Sequence, residues 1–274
     1  MNKKTLFYAI CLIIFSFGFA DAQTESIVPI LNLQVKGLMG GVENGKFVNA
    51  KTTVGKLSSE TKYKIFEPYA TSIVDMIFTK PVNSMDVCDD FYGFGEKDFA
   101  KTENSKGVAI GANASWNAMP RQPKKIALTD IKYKKATADA LQTKGIFTKT
   151  IKLTQVFRID LEGDGTEEVV ITATSYPSGV YSSAKKNDYS FVLLRKVVNG
   201  KARNIIVTGD FITKKIDFGA PGEYEVSAIA DLNGDGKMEL VIYCQYYEGN
   251  WVETYEMKGG KLSSVKILDV ACGV

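Results

Sequence analysis

The sequence contains no histidine among its 274 residues. Histidine is the side chain that most often acts as a general base near neutral pH, and it is a common ligand of zinc and iron. Its absence excludes Ser-His-Asp and Cys-His catalytic arrangements and every metal site that depends on an imidazole. The sequence therefore favours a binding protein over an enzyme, although catalysis by carboxylates alone stays open.

Excess charge of one sign and long apolar segments are also scarce. Lys and Arg number 34 against 31 Asp and Glu, a formal net charge of +3. This balance argues neither for a nucleic-acid partner nor for an anionic membrane surface. The only long apolar run lies at the N-terminus, so we predict no membrane span once that run is removed.

The N-terminal residues have the pattern of a secretory signal peptide. Lys3 and Lys4 precede an apolar run over residues 6–20, which is shorter than the roughly 18 residues of a membrane-spanning helix. Ala20-Asp21-Ala22 then offers small residues for cleavage before Gln23. We predict a signal peptide over residues 1–22 and a protein that is secreted or resides in the periplasm or cell envelope. An uncleaved N-terminal anchor is the alternative.

Four cysteines occur, and Cys11 lies inside the predicted signal peptide. In an exported protein, one disulfide is expected among the other three, which leaves one free thiol. The sequence alone does not fix the pair. Because Cys244 lies in the middle of a predicted strand, where a buried free thiol is common, the pairing of Cys88 with Cys272 is favoured.

The N-terminal region, over residues 23–128, is predicted to be β-rich. Asn44-Gly45 suits a type I′ hairpin turn, and Gly40-Gly41 indicates a bulge or a close backbone approach. An acidic, turn-rich stretch over residues 86–98 is interpreted as a surface loop, with a third metal site as the alternative.

The C-terminal region, over residues 129–274, begins with the one surface helix that the sequence predicts. Thr129 or Asp130 is its predicted cap and Gly145 its predicted end. Helical spacing places four apolar side chains on one face, which should lie against a sheet. These are Tyr133, Ala136, Ala140 and Leu141.

The rest of this region is an internal repeat with a period of 71 residues, with copies over about residues 151–212 and 223–270. In the first copy, Ile151, Leu153, Phe157 and Ile159 are predicted to share one face of the first strand. The turns before the last strands are Asn199-Gly200 and Gly259-Gly260. We therefore predict a mainly β fold of antiparallel four-stranded meander repeats, partly propeller-like, with a β-rich N-terminal region and one surface helix.

Each repeat carries an acidic nine-residue loop between its first two strands, at residues 160–168 and 231–239. Calcium takes about six to eight oxygen ligands, which alternate positions of a short loop can supply. Glycine at position six, Gly165 or Gly236, permits the sharp turn. We predict two calcium ions, bound by side chains at positions one, three, five and nine and by the backbone carbonyl at position seven. The ligands are Asp160, Glu162, Asp164, Thr166 and Glu168 in the first loop, and Asp231, Asn233, Asp235, Lys237 and Glu239 in the second.

Two alternatives to this interpretation are an EF-hand and a plain acidic turn. An EF-hand needs a carboxylate at position twelve and helices on both sides. Position twelve is Ile171 in one loop and Ile242 in the other, and both flanks have the alternation of β-strands. The pattern therefore favours a loop between strands that is closed by the acid at position nine.

The second loop and its following strand, DLNGDGKMELVI, resemble the calcium loop of FG-GAP/VCBS-type repeats, which occur in integrin-like propellers and in secreted bacterial proteins. DLEGDGTEEVVI in the first repeat is a variant. The family usually has Asp at position nine, where this chain has Glu168 and Glu239. The resemblance covers about residues 151–274, too little for a closed ring of about seven blades. It implies calcium-stabilised β-meanders and a frequent role in adhesion or carbohydrate-associated recognition, but it does not by itself imply an enzymatic activity.

The sequence therefore predicts a secreted module in which calcium is structural and which recognises a glycan or an extracellular protein. A rim of aromatic residues at the hairpins opposite the loops is the candidate binding surface, but the favoured interpretation is that these are turn and edge aromatics without a binding role. The alternatives are a secreted hydrolase that acts on polysaccharide or cell-wall substrates, and a structural accessory domain of an envelope assembly. The rim comprises Tyr176, Tyr181, Tyr246, Tyr247 and Trp251.

Overall fold

The computed structural model describes residues 27–68, 73–83, 88, 90–100, 106–176 and 182–273. Within them the protein is mainly β, with three antiparallel sheets and two α-helices, so the predicted fold class is confirmed. The predicted signal peptide lies outside the described residues. In the described part of the chain, no helix is long and apolar enough to cross a membrane.

The first sheet contains the N-terminal strands. These are β1 (Val28–Asn32), β2 (Gly37–Glu43), β3 (Lys46–Asn49), β4 (Glu60–Phe66), β5 (Val74–Thr79), β6 (Val82–Asn83), β7 (Tyr92–Gly93) and β8 (Val108–Gly111). Their order is β5-β4-β8-β1-β2-β7-β6, and β3 pairs with β2. Asn44 and Gly45 both have positive φ, as a type I′ turn between β2 and β3 requires. The predicted hairpin is therefore confirmed.

Gly40 and Gly41 mark a close backbone approach, as the sequence predicts. A Cβ atom on Gly40 would lie 2.4 Å from the carbonyl oxygen of Val48, and one on Gly41 would lie 2.8 Å from that of Val28. No side chain fits at such distances, so β1 and β3 can flank β2 only because these two positions are glycine.

The prediction of a single helix is wrong, because a short helix, α1 (Ala50–Lys56), follows β3. The side chain of Asn49 accepts a hydrogen bond from the N–H of Thr52 at 2.8 Å and caps the helix start. Thr53 is its one buried residue. A helix of seven residues gives too few turns for an apolar period to stand out in the sequence.

The second sheet contains the first repeat. Its strands are β9 (Lys124–Lys125), β10 (Leu153–Ile159), β11 (Glu168–Thr174), β12 (Tyr189–Val198) and β13 (Lys201–Phe211). The order is β13-β12-β11-β10-β9, so the predicted meander is confirmed and β9 extends it. The predicted surface helix, α2 (Ile131–Thr143), is capped by Asp130 and packs Tyr133 and Leu141 against this sheet.

The prediction that Leu153 shares one face of its strand with Phe157 and Ile159 is wrong. Leu153 packs under α2, whereas Phe157 and Ile159 point into the core that the other sheets share. The cause is a register shift between Leu153 and Gln155 in the pairing of β10 with β11. One unpaired residue, Thr154, therefore moves Leu153 to the opposite face of the strand.

The third sheet contains the second repeat. Its strands are β14 (Glu223–Ala230), β15 (Glu239–Tyr246), β16 (Gly249–Lys258), β17 (Lys261–Ser264) and β18 (Val270–Gly273). The order is β14-β15-β16-β17, with β18 also paired to β16. β17 ends at Ser264, and a 3-10 turn (Lys266–Leu268) then leads into β18.

A single apolar cluster joins the three sheets. It includes Ile110 from the first sheet, Phe157 from the second and Ile242 from the third, all almost fully buried. A disulfide between Cys88 and Cys272 ties the C-terminal strand to the N-terminal region, with the Cα atoms 5.3 Å apart. Cys244 is buried and free. The favoured cysteine pairing is thus confirmed.

Candidate metal centre

The two acidic loops lie side by side at one edge of the protein. The backbone N–H of Met238 donates a hydrogen bond to the carbonyl oxygen of Leu161 at 2.8 Å. Arg121 lies between the loops and donates to the carbonyl oxygens of Asp160 and Leu161 in the first and of Gly236 in the second. Each loop connects two paired strands, as the sequence predicts.

In the second loop, side-chain oxygens organise the backbone. The two carboxylate oxygens of Asp231 accept hydrogen bonds from the N–H groups of Gly234 at 2.7 Å and of Gly236 at 2.9 Å. Asn233 accepts from the N–H of Asp235 at 3.0 Å, and Asp235 accepts from that of Lys237 at 2.8 Å. Three of the side chains predicted as ligands therefore hold the backbone in a tight loop, which the fourth, Glu239, closes by accepting from the N–H of Leu232 at 2.7 Å.

Trp116 supports this loop from outside. Its indole N–H donates to the carbonyl oxygen of Asp231 at 2.9 Å. A Cβ atom added to Gly234 would lie 2.9 Å from the indole ring, so the ring packs directly on the loop. Trp116 is thus a packing residue of the second loop.

The second loop concentrates negative charge away from water. Asp231 and Glu239 are 3% and 1% exposed. Burial raises the pKa of Glu239 to about 8, and the nearby carboxylates of Asp231 and Asp235 and the carboxylate of Glu256 add to the effect. Burial also raises the pKa of Asp231, against the hydrogen bonds from Gly234 and Gly236. Burial and mutual repulsion therefore disfavour the ionised carboxylates of this loop.

The first loop has the same backbone design. Asp160 accepts hydrogen bonds from the N–H groups of Gly163 at 2.7 Å and Gly165 at 2.9 Å. Asp164 accepts from the N–H of Thr166 at 2.8 Å, and Glu168 accepts from that of Leu161 at 3.0 Å. The two loops thus fold alike in spite of their different residues at positions three, seven and eight.

The charge balance of the first loop is different. Lys196, 7% exposed, forms an ion pair with Glu162 and donates to the carbonyl oxygen of Gly260 at 3.3 Å. Burial raises the pKa of Glu168, and Lys196 opposes this rise. The sequence reasoning missed this lysine, because it lies on β12, far along the chain from the loop.

The donor chemistry of the second loop fits calcium, since it consists of carboxylate and amide oxygens. The first loop fits less well, because Glu162 at position three is engaged by an ammonium group. Within the described residues, no group of three or more His, Cys, Asp or Glu side chains is gathered so that it could hold a metal ion. The prediction of bound calcium is therefore based on donor types, loop geometry and charge.

The acidic stretch over residues 86–98 and the predicted aromatic rim lie outside the two loops. Asp86 and Asp89 of the acidic stretch lie outside the described residues, and Asp98 accepts hydrogen bonds from Thr79 and Gly95. Tyr176 is buried, and Tyr181 is outside the described residues. The remaining rim residues form ring contacts that extend to two residues outside the predicted rim, Phe218 and Tyr224. The series of contacts is Phe218, Tyr247, Tyr246, Trp251 and Tyr224.

A polar cavity of about 630 Å³ lies at the opposite end of β10 and β14 from the loops. Two cross-strand pairs of β14 and β15, Glu223 with Gln245 and Glu225 with Tyr243, contribute to its lining. It is also lined by residues of β10 in the second sheet and by residues just beyond the ends of β4 and β8 in the first sheet, so the cavity is located where the three sheets meet. These residues are Glu67, Pro68, Lys106, Thr154 and Gln155.

The two glutamates of the cavity have different surroundings. Glu225 forms an ion pair with Lys106 at 2.6 Å and accepts a hydrogen bond from Gln34. For Glu223, burial raises the pKa, the charge of Glu225 adds to this, and Lys152 and Lys106 oppose it. Within one strand, Glu225 is therefore engaged by an ammonium and an amide group, whereas burial disfavours the charge of Glu223.

A comparison of the chain with protein-family models, with curated proteins and with solved structures finds no match.

Proposed function

We propose that this protein is an extracytoplasmic β-repeat module of the FG-GAP/VCBS type, in which calcium is structural and which recognises a saccharide. The second loop carries the metal proposal. Its hydrogen bonds orient Asp231, Asn233 and Asp235 along one turn, while Glu239 brings a buried carboxylate to the same loop. The Cys88–Cys272 disulfide supports an oxidising compartment outside the cytoplasm.

Calcium in this loop would neutralise carboxylates that burial and mutual repulsion destabilise. A ligand that binds only the folded state stabilises it by about 2.7 kcal/mol when its concentration is about 100 times its Kd. For a protein of this size, that energy corresponds to a rise of about 5–10 °C in Tm. Because extracellular sites bind calcium at about 10⁻⁴–10⁻³ M, even a weak site would be filled outside the cell.

The melting temperature of the chelated and the calcium-loaded protein tests the metal proposal. We expect calcium to raise Tm in the wild type and Asp235→Asn to remove most of that rise. Asp217→Asn is the matched control, because Asp217 is an exposed aspartate whose partner, Lys215, is also exposed. A Tm that is independent of calcium in the wild type would contradict the proposal.

The cavity supports the saccharide part of the proposal. Saccharides are recognised by side chains that donate hydrogen bonds and side chains that accept them, together with an aromatic surface. Gln155, Gln245 and Lys106 supply donors, Glu223 and Glu225 supply acceptors, and Tyr243 and Tyr224 supply ring surfaces. The volume of about 630 Å³ is within the usual range of about 300–1,000 Å³ for small-ligand sites.

Binding to a panel of soluble glycans and to insoluble peptidoglycan tests this part. We expect Tyr243→Ala to weaken binding and Tyr247→Ala, in the aromatic rim, to leave it unchanged, because the ring contacts of Tyr247 are with Phe218 and Tyr246, which do not line the cavity. The opposite result would place recognition on the rim. Absence of binding to every glycan would contradict saccharide recognition and leave the metal proposal to its own test.

A hydrolase is the second candidate, because the same cavity contains two carboxyl groups in different environments. Glu223 and Glu225 alternate on one strand and are about 7 Å apart along it. Inverting glycosidases separate their acid and base by roughly 6.5–9.5 Å. In this scheme Glu223 is the acid and Glu225 the base. Release of reducing ends from a polysaccharide, abolished by Glu223→Gln, would favour the hydrolase over the binding module.

A further inference from the structure

The two loops face different residues on the third strand of their meanders. Val169 pairs with Arg195, so the next position along places Lys196 opposite Glu168. Leu240 pairs with Tyr255, so the same step places Glu256 opposite Glu239. Equivalent positions of the two repeats thus hold a cation beside the first loop and an anion beside the second.

The ammonium group of Lys196 is built into the first loop. It is paired with Glu162, whose side chain is 16% exposed, while that of Lys196 is 8% exposed. It also donates to the carbonyl oxygen of Gly260 in the turn between β16 and β17. The lysine therefore engages a predicted metal ligand, lies near Glu168, and bonds a backbone oxygen as a calcium ion would.

Glu256 has the opposite effect on the second loop. Its ion pair is with Lys258, whose side chain is 75% exposed, at 3.1 Å. A pair this exposed is weakened by water and salt and compensates little of the charge of the loop. Arg121 does not distinguish the loops, because it donates to backbone carbonyls in both.

We infer that the Lys196 ammonium takes the place of calcium in the first loop, so that of the two loops only the second binds a calcium ion. This inference rests on the proposed calcium function, and it differs from the two ions that the sequence predicts. A divalent cation entering the first loop would have to displace or approach a buried positive charge. It would also lose Glu162 as a ligand.

The arrangement assigns different roles to two loops of one design. The first is a permanent ion-paired turn, which joins the two meanders through Glu162, Lys196 and Gly260 whether or not calcium is present. The second loop binds calcium and is stabilised by it. Glu256 strengthens calcium binding there by adding negative charge opposite Glu239.

Calorimetric calcium titration of the metal-stripped full chain tests the inference through its stoichiometry. We expect one site in the wild type, lost in Asp235→Asn and retained in the matched variant Asp164→Asn of the first loop. Lys196→Gln should create a second site, because it frees Glu162 and removes the competing charge. Glu256→Lys is the reciprocal change, because it places a positive charge beside the second loop. It should weaken calcium binding to the second loop by about 100-fold or more.

Failure of the inference can be distinguished from failure of the proposed function. Two sites in the wild type, or loss of its single site in Asp164→Asn, would overturn the inference and leave calcium binding intact. No binding in either the wild type or Lys196→Gln would overturn both. If Lys196→Gln does not fold, the comparison of Asp235→Asn with Asp164→Asn decides the question.

Discussion

Met238 donates its backbone N–H to the carbonyl oxygen of Leu161 at 2.8 Å, across the boundary between the two repeats. In turn, the N–H of Leu161 donates to Glu168, which closes the first loop. The residue at position eight of one loop is thus linked to the closing acid of the other. Together with Arg121, these bonds make the two loops one continuous edge.

The glycines of the second loop offer a matched pair of substitutions. Gly234 and Gly236 have φ values of +81° and +83°, so alanine is strained by about 1–2 kcal/mol at either position. Only at Gly234 would the added methyl group meet Trp116, at 2.9 Å, whereas nothing lies within 4 Å at Gly236. We expect Gly234→Ala to lower the free energy of unfolding by about 2–4 kcal/mol and Gly236→Ala by less. Urea unfolding of both variants measures the difference; equal losses would mean that the Trp116 contact is unimportant.

Gln155 joins the two meanders through the backbone of Val226. It accepts from the N–H of Val226 at 2.7 Å and donates to its carbonyl oxygen at 3.0 Å. Gln155→Met would leave both buried groups unpaired, so we expect a loss of about 2–5 kcal/mol in the free energy of unfolding. Gln142→Met, on the exposed face of α2, is the control and should change stability by less than about 0.5 kcal/mol. A loss below about 1 kcal/mol for Gln155→Met would contradict this role.

The disulfide joins residues that are 184 positions apart. Closing so long a loop removes much of the entropy of the unfolded chain, and a loss of about 2–5 kcal/mol is typical when such a bond is removed. We expect this loss in the Cys88→Ala/Cys272→Ala variant and a smaller one in Cys244→Ala, which removes only a buried thiol. Thiol labelling of the unfolded, unreduced protein should modify Cys244 and leave Cys88 and Cys272 unlabelled. Labelling of Cys88 would show that the bond does not form.

The metal-free protein should lose stability as pH rises. Glu239 has an ordinary pKa of 4.5, which the fold raises to about 8. A carboxyl group with a raised pKa stabilises the fold fully below its unfolded value, and this contribution is lost as pH rises through the folded value. In chelator, Tm should therefore fall between about pH 5 and pH 9, and Glu239→Gln should flatten part of that fall. A slope unchanged by Glu239→Gln would show that another group is responsible.

The repeated elements could be predicted from the sequence because their signals are local. Asn199-Gly200 and Gly259-Gly260 turn with positive φ where the pattern predicts. The acid at position nine opens the next strand in both repeats, as Glu168 and Glu239 show. These features depend on residues within a few positions of one another.

The missed features depend on contacts between distant parts of the chain. Lys196 reaches Glu162 only after β12 has paired with β11, and one unpaired residue at Thr154 is enough to turn Leu153 to the other face. A comparison of the third strands of the two repeats would have revealed the exchange of Lys196 for Glu256. Arg121 gives no local signal, because it binds backbone carbonyls that any sequence provides.

Luminescence of bound terbium tests most directly whether the second loop holds the metal ion. Terbium replaces calcium and emits strongly when a nearby tryptophan transfers its excitation energy. Of the two tryptophans in the sequence, Trp116 packs on Gly234 of this loop, and Trp251 belongs to the aromatic cluster at the far end of the strands. We expect emission that calcium competes away, that Trp251→Phe and Asp164→Asn retain and that Trp116→Phe and Asp235→Asn abolish. Emission that survives Trp116→Phe, or no emission from the wild type, would contradict metal binding in the second loop.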